Sequence, residues 1–394
     1  MGSKAAATTG TVAQVNRTTI IELLRAAGPL SRADIENATG LSTATINRLT
    51  NGLIHDGILA RTGQKASTGG RPPTLLRYLG AARSVAALRV QQDAVTGSLI
   101  NLDDEIVARH VVAISRARHD ATDATAARAF ADEQVAAIDE VAQHFISRAT
   151  DLGTQCTAIG VAVPGVVDAL GGEVSHIPGM GEVRLPLGDL LRSRLPLPII
   201  IENDANAMAY GEFRAVRHSD VNNMIGILVD HGVGAGIITN GELYRGVNGE
   251  AGEIGFLLTD RLSLQDVYSD YGALESKLAA ARSDGLDKGK RASARRSGGY
   301  SPRQASRGPS QTDDDIIDIL ALAVAAMIII LDPQLVTLDG SPLRHPAVAA
   351  ALRERLLGRI PHVPEIVIAR DDAVLRGVAE LATVKLHDFT YISH

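Results

Sequence analysis

Apolar spacing changes character along the chain. From Val12 to Ala27, Val15, Ile20, Leu23 and Leu24 recur at near-helical intervals, and Gly28-Pro29 stops the helix. Ser31 opens a second helix, with Asp34 three residues on as in a capping box. Ile35 and Ala38 face inward until Thr39-Gly40-Leu41 turns the chain. A third helix starts at Ser42, with Ile46, Leu49 and Leu53 on its buried stripe, so Thr43, Thr45, Asn47, Arg48 and Asn51 face outward. Gly57 to Ala60 and Leu75 to Tyr78 then read as a β-hairpin.

Beyond residue 81 the pattern alternates between strand runs and helices. Val85 to Gln91, Thr96 to Leu102 and Ile106 to Ala113 read as an antiparallel meander, followed by a helix from about Ala121 to Arg148. Ala158 to Val163 and Leu197 to Ile201 are the next strands, and the plan repeats from Asn223, with Leu335 to Leu338 and Ile366 to Ala369 as late strands. Two similar α/β halves with a cleft between them follow. The stretch from about 281 to 312 breaks the plan. Within residues 281–310, eight Lys/Arg and two Asp accompany Leu286 as the one large aliphatic, so a disordered, solvated loop is expected.

Charge sharpens the division at residue 80. Residues 1–80 carry a net +5 and the remainder −11, so the head is the part suited to a polyanion. Three short helices with a glycine turn before the third, followed by a hairpin, make a winged helix-turn-helix for double-stranded DNA. Ser42, Thr43, Thr45, Asn47 and Arg48 are its candidate contacts from the third helix, in the major groove. The wing tip, with Lys65 and with Arg71 in Gly70-Arg71-Pro72, suits a narrow minor groove. The bland alternatives are a protein-docking module, a phosphate contact for Arg48 and helix capping for the threonines. A lone cysteine, Cys156, excludes an intramolecular disulfide and a cysteine-rich zinc site, as expected for a cytoplasmic protein. Met1 to Gly10 lacks a signal-type apolar core, and the run Ile316 to Leu331 contains Asp318 and is too short for a bilayer, so no membrane partner is expected.

The segment from Ile199 to Phe256 holds the candidate chemistry. Ile199-Ile200-Ile201 reads as a buried parallel strand that delivers Glu202-Asn203-Asp204 at its carboxyl end, where α/β folds bind ligands. A helix from Ala205 to about Arg214 and strands at Asn223 to Val229 and Gly236 to Thr239 follow, and Asn240-Gly241 forms a hairpin turn. Gly249-Glu250-Ala251-Gly252-Glu253-Ile254-Gly255-Phe256 then brings backbone and the Glu253 carboxylate to one place, a pocket suited to a polyol.

These pieces, with Gly160 to Gly165, Gly232 to Gly236, Asp332-Pro333 and Gly340, resemble the ROK family of sugar-responsive repressors and sugar kinases over roughly residues 84–385. The resemblance implies an α/β fold in which a winged helix-turn-helix (1–80) precedes a two-lobed actin-like, ribonuclease H-like domain (81–394), with lobes about 81–204 and 205–394. It puts the sugar-hydroxyl base at Asp204, whose bland role is to cap the helix starting at Ala205. It puts hydroxyl ligands at Asn203, Glu253 and Glu275, the last in Gly272-Ala273-Leu274-Glu275.

Against the family pattern, the phosphate machinery is missing. The family's Asp-x-Gly-Gly-Thr falls on Arg89-Val90-Gln91-Gln92-Asp93, its Gly-Thr-Gly on Asp230-His231-Gly232 and its Gly-Gly on Asp339-Gly340. Each change places a carboxylate where polyphosphate would lie. Phe256 stands at the zinc-histidine position, Leu262 to Leu274 has no cysteine, and Ile177 to Gly181 lacks the usual asparagine. No metal, cofactor or catalysis is therefore expected. The reading is a DNA-binding repressor, dimeric or a dimer of dimers, gated by a sugar-type effector. A sugar kinase with a DNA-binding head, and an effector-independent DNA-binding dimer, are the alternatives.

Overall fold

A computed structural model describes residues 9–64, 72–115, 124–168, 172–177, 184–216, 220–230, 232–258, 272–280, 311–341 and 343–389. The wing tip with Lys65 and Arg71, and the basic segment 281–310, lie outside the described residues.

The chain begins with α1 (Thr9–Ala27), β1 (Leu30–Ser31), α2 (Arg32–Thr39), α3 (Thr43–His55), β2 (Leu59–Gln64) and β3 (Thr74–Tyr78). Ile20, Leu24, Ile35, Ile46, Leu53, Leu59 and Leu76 close one small core. Both halves of the capping box are made: Ser31 Oγ accepts from the Asp34 N–H, and Asp34 accepts from the Ser31 N–H at 3.0 Å. Gly40, at φ 68°, ends α2 with its N–H on the Glu36 carbonyl. The expected hairpin is a three-stranded sheet, order β1-β3-β2. Its extra strand is two residues long and leaves no alternation to read. Two expected core positions face solvent instead. Val15 is 59% exposed because it lies about 140° around α1 from Ile20. Ala38 is exposed because Ile35 alone anchors the eight-residue α2.

A first five-stranded sheet follows, built from β4 (Arg83–Val90), β5 (Ala94–Asn101), β6 (Ile106–Ala113), β7 (Gln155–Val163) and β10 (Ile199–Asn203) in the order β10-β7-β4-β5-β6. The antiparallel meander β4-β5-β6 is as expected, and β7 and β10 add to it in parallel. Strand β4 is buried on both faces: Ala86, Leu88 and Val90 meet α4 (Ala124–Ala149), while Val85 and Ala87 face the opposite helix layer. A short ribbon, β8 (Val166–Val167) with β9 (Val174–Ser175), and α5 (Leu187–Arg192) lie between β7 and β10.

The second five-stranded sheet, order β13-β12-β11-β14-β15, comprises β11 (Met224–Val229), β12 (Val233–Thr239), β13 (Glu242–Tyr244), β14 (Leu335–Asp339) and β15 (Glu365–Ile368). Ile225, Ile227 and Val229 point to a core shared with α7 (residues 273–280), α8 (Gln311–Leu331) and α9 (Pro346–Leu356). On the other face Gly226, Gly234 and Gly236 bring β11 and β12 against Ala205 and Ala209 of α6 (Asp204–Ala215).

The two sheets meet through a pair of helices. Helix α6 lies on the second sheet, and α10 (Ala373–Phe389) returns from the chain's end to lie on β4 and β7 of the first. A single division at residue 205 therefore does not hold: the last helix closes the first half. Where the helices cross, a methyl on Gly377 would overlap the Ala207 carbonyl and one on Gly211 the Ala373 carbonyl, so both crossing points require glycine. No helix among the described residues is long and apolar enough to cross a membrane.

Candidate functional site

The site forms at the carboxyl end of β10. Strand pairing sets Glu202 beside Ala162 and Asn203 beside Val163, so the chain leaves the sheet next to Gly165. Glu202 is 4% exposed and fully engaged. Its Oε1 accepts from the Asn203 N–H and from Asn206 Nδ2, both at 3.1 Å, and its Oε2 accepts from Arg245 Nε at 2.9 Å and Nη2 at 2.6 Å. Two donors of one guanidinium on one carboxylate oxygen tie the end of β10 to the loop that leads to Glu253. Arg245 carried no recognisable signal, since its partner is 43 positions away.

Asn203, not Asp204, caps α6. Its backbone is extended, at φ −61° and ψ 141°, and its Oδ1 accepts the Asn206 N–H at 3.0 Å. Its Nδ2 donates to the Gly165 carbonyl at 2.9 Å. The expected cap at Asp204 is thus displaced by one residue, because Asn203 already holds the cap geometry. Asn203 keeps one amide N–H beyond these bonds for a ligand.

Asp204 is the first residue of α6, and its Oδ1 accepts the Ala205 N–H at 3.0 Å. Its Oδ2 lies 3.7 Å from Arg89 Nη2, which also donates to Asp230 Oδ2 at 3.1 Å. Arg89 is 13% exposed, Asp204 15% and Asp230 26%. The arginine that stands in place of the family's aspartate therefore reaches from the first sheet to the second and lies between two carboxylates. Burial pushes the Asp204 carboxyl up to about 6, Arg89 pulling it down and Asp230 adding to the rise.

Glu253 sits in the turn before a short 3₁₀ segment, Ile254–Phe256. Burial, then the charges of Asp204, Glu275 and Glu250, push it up to about 7. Glu275 enters from α7 and runs between two glycines: a methyl on Gly232 would lie 3.2 Å from its Oε1, and one on Gly255 3.3 Å from its Oε2. Asn203 and Asp204, Glu253, and Glu275 thus converge from three segments far apart in sequence, with donors and acceptors of the kind a polyol needs.

The carboxylates at the three positions expected to face phosphate differ in their surroundings. Asp230 is held by Arg89; Asp339, 1% exposed, accepts from Arg344 Nε at 2.9 Å and from the Gly340 N–H at 2.7 Å. Asp93 lies in the turn between β4 and β5. Two of the three are therefore neutralised from within the chain. A cavity of about 320 Å³ beside them is lined by Arg89, Arg109, Arg344, Asp339, Asp371 and Asp372, with Arg109 bidentate on Asp372 at 2.8 and 2.6 Å. Among the described residues no group of three or more His, Cys, Asp or Glu is placed to hold a metal ion.

At the other end of the chain, α3 presents an outward polar face. Ser42, Thr43, Asn47 and Arg48 are exposed and Thr45 half-buried. Ser42 Oγ accepts from the Thr45 N–H at 3.3 Å and lies 2.9 Å from Thr45 Oγ1, so these two cap the helix. Thr43 donates to Glu36 at 2.7 Å, bracing α3 against α2. Asn51 accepts from Arg32 at 2.7 Å, and Arg61 on β2 lies near enough to lower the Arg32 pKa after desolvation. Arg32 and Arg61 extend the positive face beyond the residues expected from the sequence.

The sequence profile of the ROK family matches residues 86–385. The xylose repressor of Bacillus subtilis (strain 168) is 30% identical over 251 residues, covering 63% of this chain and 62% of that protein. The DNA-binding transcriptional dual regulator NagC of Escherichia coli (strain K12) is 27% identical over 272 residues, covering 68% of this chain and 64% of that protein. Each match spans less than two thirds of the relative's length. Among solved structures, a ROK family transcriptional regulator, a homologue of the E. coli MLC protein, aligns over 97% of this chain and 98% of its own, with a TM-score of 0.71 at 23% identity. A ROK glucokinase from Streptomyces griseus, in complex with glucose and AMPPNP, aligns over 76% of this chain and 99% of its own, with a TM-score of 0.58 at 20% identity. The α/β fold is thus that of the ROK kinases and regulators.

Proposed function

The chain belongs to the ROK family, and on that premise we propose that it is a DNA-binding transcriptional repressor whose ROK body binds a sugar-type effector without phosphorylating it. Residues 1–80 act as the winged helix-turn-helix, with Ser42, Thr43, Thr45, Asn47 and Arg48 towards the major groove and Lys65 and Arg71 in the wing. Residues 81–394 bind the effector through Asn203, Asp204, Glu253 and Glu275. The protein works in the cytoplasm as a dimer or dimer of dimers, since one winged head makes too few contacts for a specific site. The observation that carries the reading is the exposed polar and basic face of α3 on a compact three-helix unit joined to a sugar-kinase-like body. The repressor names of the curated relatives support it.

The absence of phosphoryl transfer is supported by Arg89. A base that must accept a sugar proton faces a guanidinium here, and that guanidinium stands at the position expected to match the aspartate of the family's Asp-x-Gly-Gly-Thr motif. The effector acts by binding two arrangements of the paired heads with different affinity.

Fluorescence anisotropy on DNA from upstream of the chain's own gene tests this, with D-xylose, N-acetylglucosamine and their phosphates as titrants. Arg48→Ala is expected to weaken binding by roughly tenfold, in line with ~1–3 kcal/mol for a base contact. One sugar is expected to shift the affinity. DNA binding unmoved by Arg48→Ala would remove α3 as the reading helix. Sugar-dependent ADP production, lost in Asp204→Ala, would favour the kinase instead, and tight DNA binding blind to every sugar would favour a regulator without an effector.

A further inference from the structure

Helix α6 starts in the ligand site and ends at the head. Asn203 caps it and Asp204 is its first residue; its last turn carries Arg214, 25% exposed. Arg214 Nε and Nη2 each lie 2.8 Å from Glu380 Oε1 on α10, and Nη2 lies 3.6 Å from Glu22 Oε1 on α1. One guanidinium therefore stands between the two body helices and the first helix of the head. Burial lowers its pKa but the carboxylates, Glu380 foremost, more than compensate, so it is charged at any working pH.

The twelve residues between these ends, about 18 Å of helix, have little room to absorb a displacement. Ala205 and Ala209 seat against Gly226, Gly234 and Gly236 of the second sheet, and Gly211 crosses Gly377 backbone to backbone. Small residues at both contacts put rigid main chain, not pliable side chain, in register, so a shift at Asp204 moves Arg214 with it. The receiving side is looser. A cavity of about 80 Å³ lies between Ile21, Glu22 and Arg25 of α1 and Asn101, Arg376 and Glu380 of the body.

We infer that α6 is the transmission element between the ligand site and the head, and that Arg214 is its output contact, a positioning residue that sets α1 through Glu22. This rests on the effector-gated reading above.

The test needs neither operator nor effector. Hydrogen–deuterium exchange is followed in α1 of the full chain, with Asp204→Asn as the perturbation at the far end of α6. In otherwise unaltered protein, Asp204→Asn is expected to change exchange around Glu22 by about threefold or more, and in an Arg214→Gln background by less than about 1.5-fold. Should Arg214→Gln fail to fold, Glu22→Gln, on a side chain 40% exposed, cuts the same contact from the head. An α1 that ignores Asp204→Asn, or responds equally in both backgrounds, overturns the inference. Absent DNA or sugar binding in the anisotropy experiment overturns the effector-gated reading while leaving this exchange result intact, so the two failures are separable.

Discussion

At the scale of single residues, the site stores unfavourable charge that titration makes visible. The Glu253 carboxyl is held near 7 rather than at its ordinary 4.5, so the folded protein binds its proton more tightly than the unfolded chain does. Stability from this group is full below the unfolded value and is lost as pH rises from about 4.5 through about 7. Glu253→Gln is expected to flatten that decline by up to about 3 kcal/mol, read by urea unfolding at intervals between pH 4 and 8. Asp204, held near 6, adds a decline over a lower window, from about 4 to about 6. Arg89 works against the second of these costs, at Asp204. Its replacement by alanine removes the cation between Asp204 and Asp230, and is expected to cost about 1–3 kcal/mol at pH 8 and less at pH 5, where Asp204 takes up a proton. Equal losses at both pH values would show that Arg89 contributes packing rather than charge.

Elements carry the next level of argument, and here the sequence was uneven as a guide. Strands β4, β5, β7 and β11 could be read because both faces of each are buried by unlike neighbours, which enforces apolar runs, whereas β6 was legible from its β-branched run alone, at a sheet edge with one face open to solvent. The capping box of α2 was equally plain, being wholly local. Asn203's cap was not: Asp204 is as good a cap by type, and only the turn at the end of β10 decides between them. Contacts made at long range left no trace at all, as with Arg245 on Glu202 or Arg214 on Glu22 and Glu380. The four residues proposed for the effector were suggested by motif resemblance; their convergence depends on β10, the Gly-rich turn and α7 arriving together. The α6–α10 crossing was also unreadable, since Gly211 and Gly377 lie in helices where glycine is locally unfavourable. Propensity alone favours Gly377→Ala by about 1 kcal/mol, yet the methyl would meet the Ala207 carbonyl. The substitution is therefore expected to destabilise by about 1–3 kcal/mol, measured as a fall in thermal midpoint.

For the whole molecule, the uneven charge between head and body sets how it would approach DNA. A head at +5 attached to a body at −11 is drawn to phosphate only by its own face and is repelled elsewhere. Affinity for an operator is expected to fall with added salt as a straight line in double-logarithmic form, with a slope of magnitude about 4–8 for a dimer. Anisotropy between 50 and 300 mM salt, as rough limits set by that relation, checks this. A flat response would mean that the basic face of α3, Arg32 and Arg61 is not the contact surface.

Arg89 carries its charge into the cleft as part of the chain. A cleft whose carboxylates needed a bound cation for balance would change its charge with the supply of that ion. Here the balancing cation is part of the chain and is present at a fixed ratio of one per site. Balance between Asp204 and Asp230 is therefore set by the chain itself and needs no ion drawn from solution.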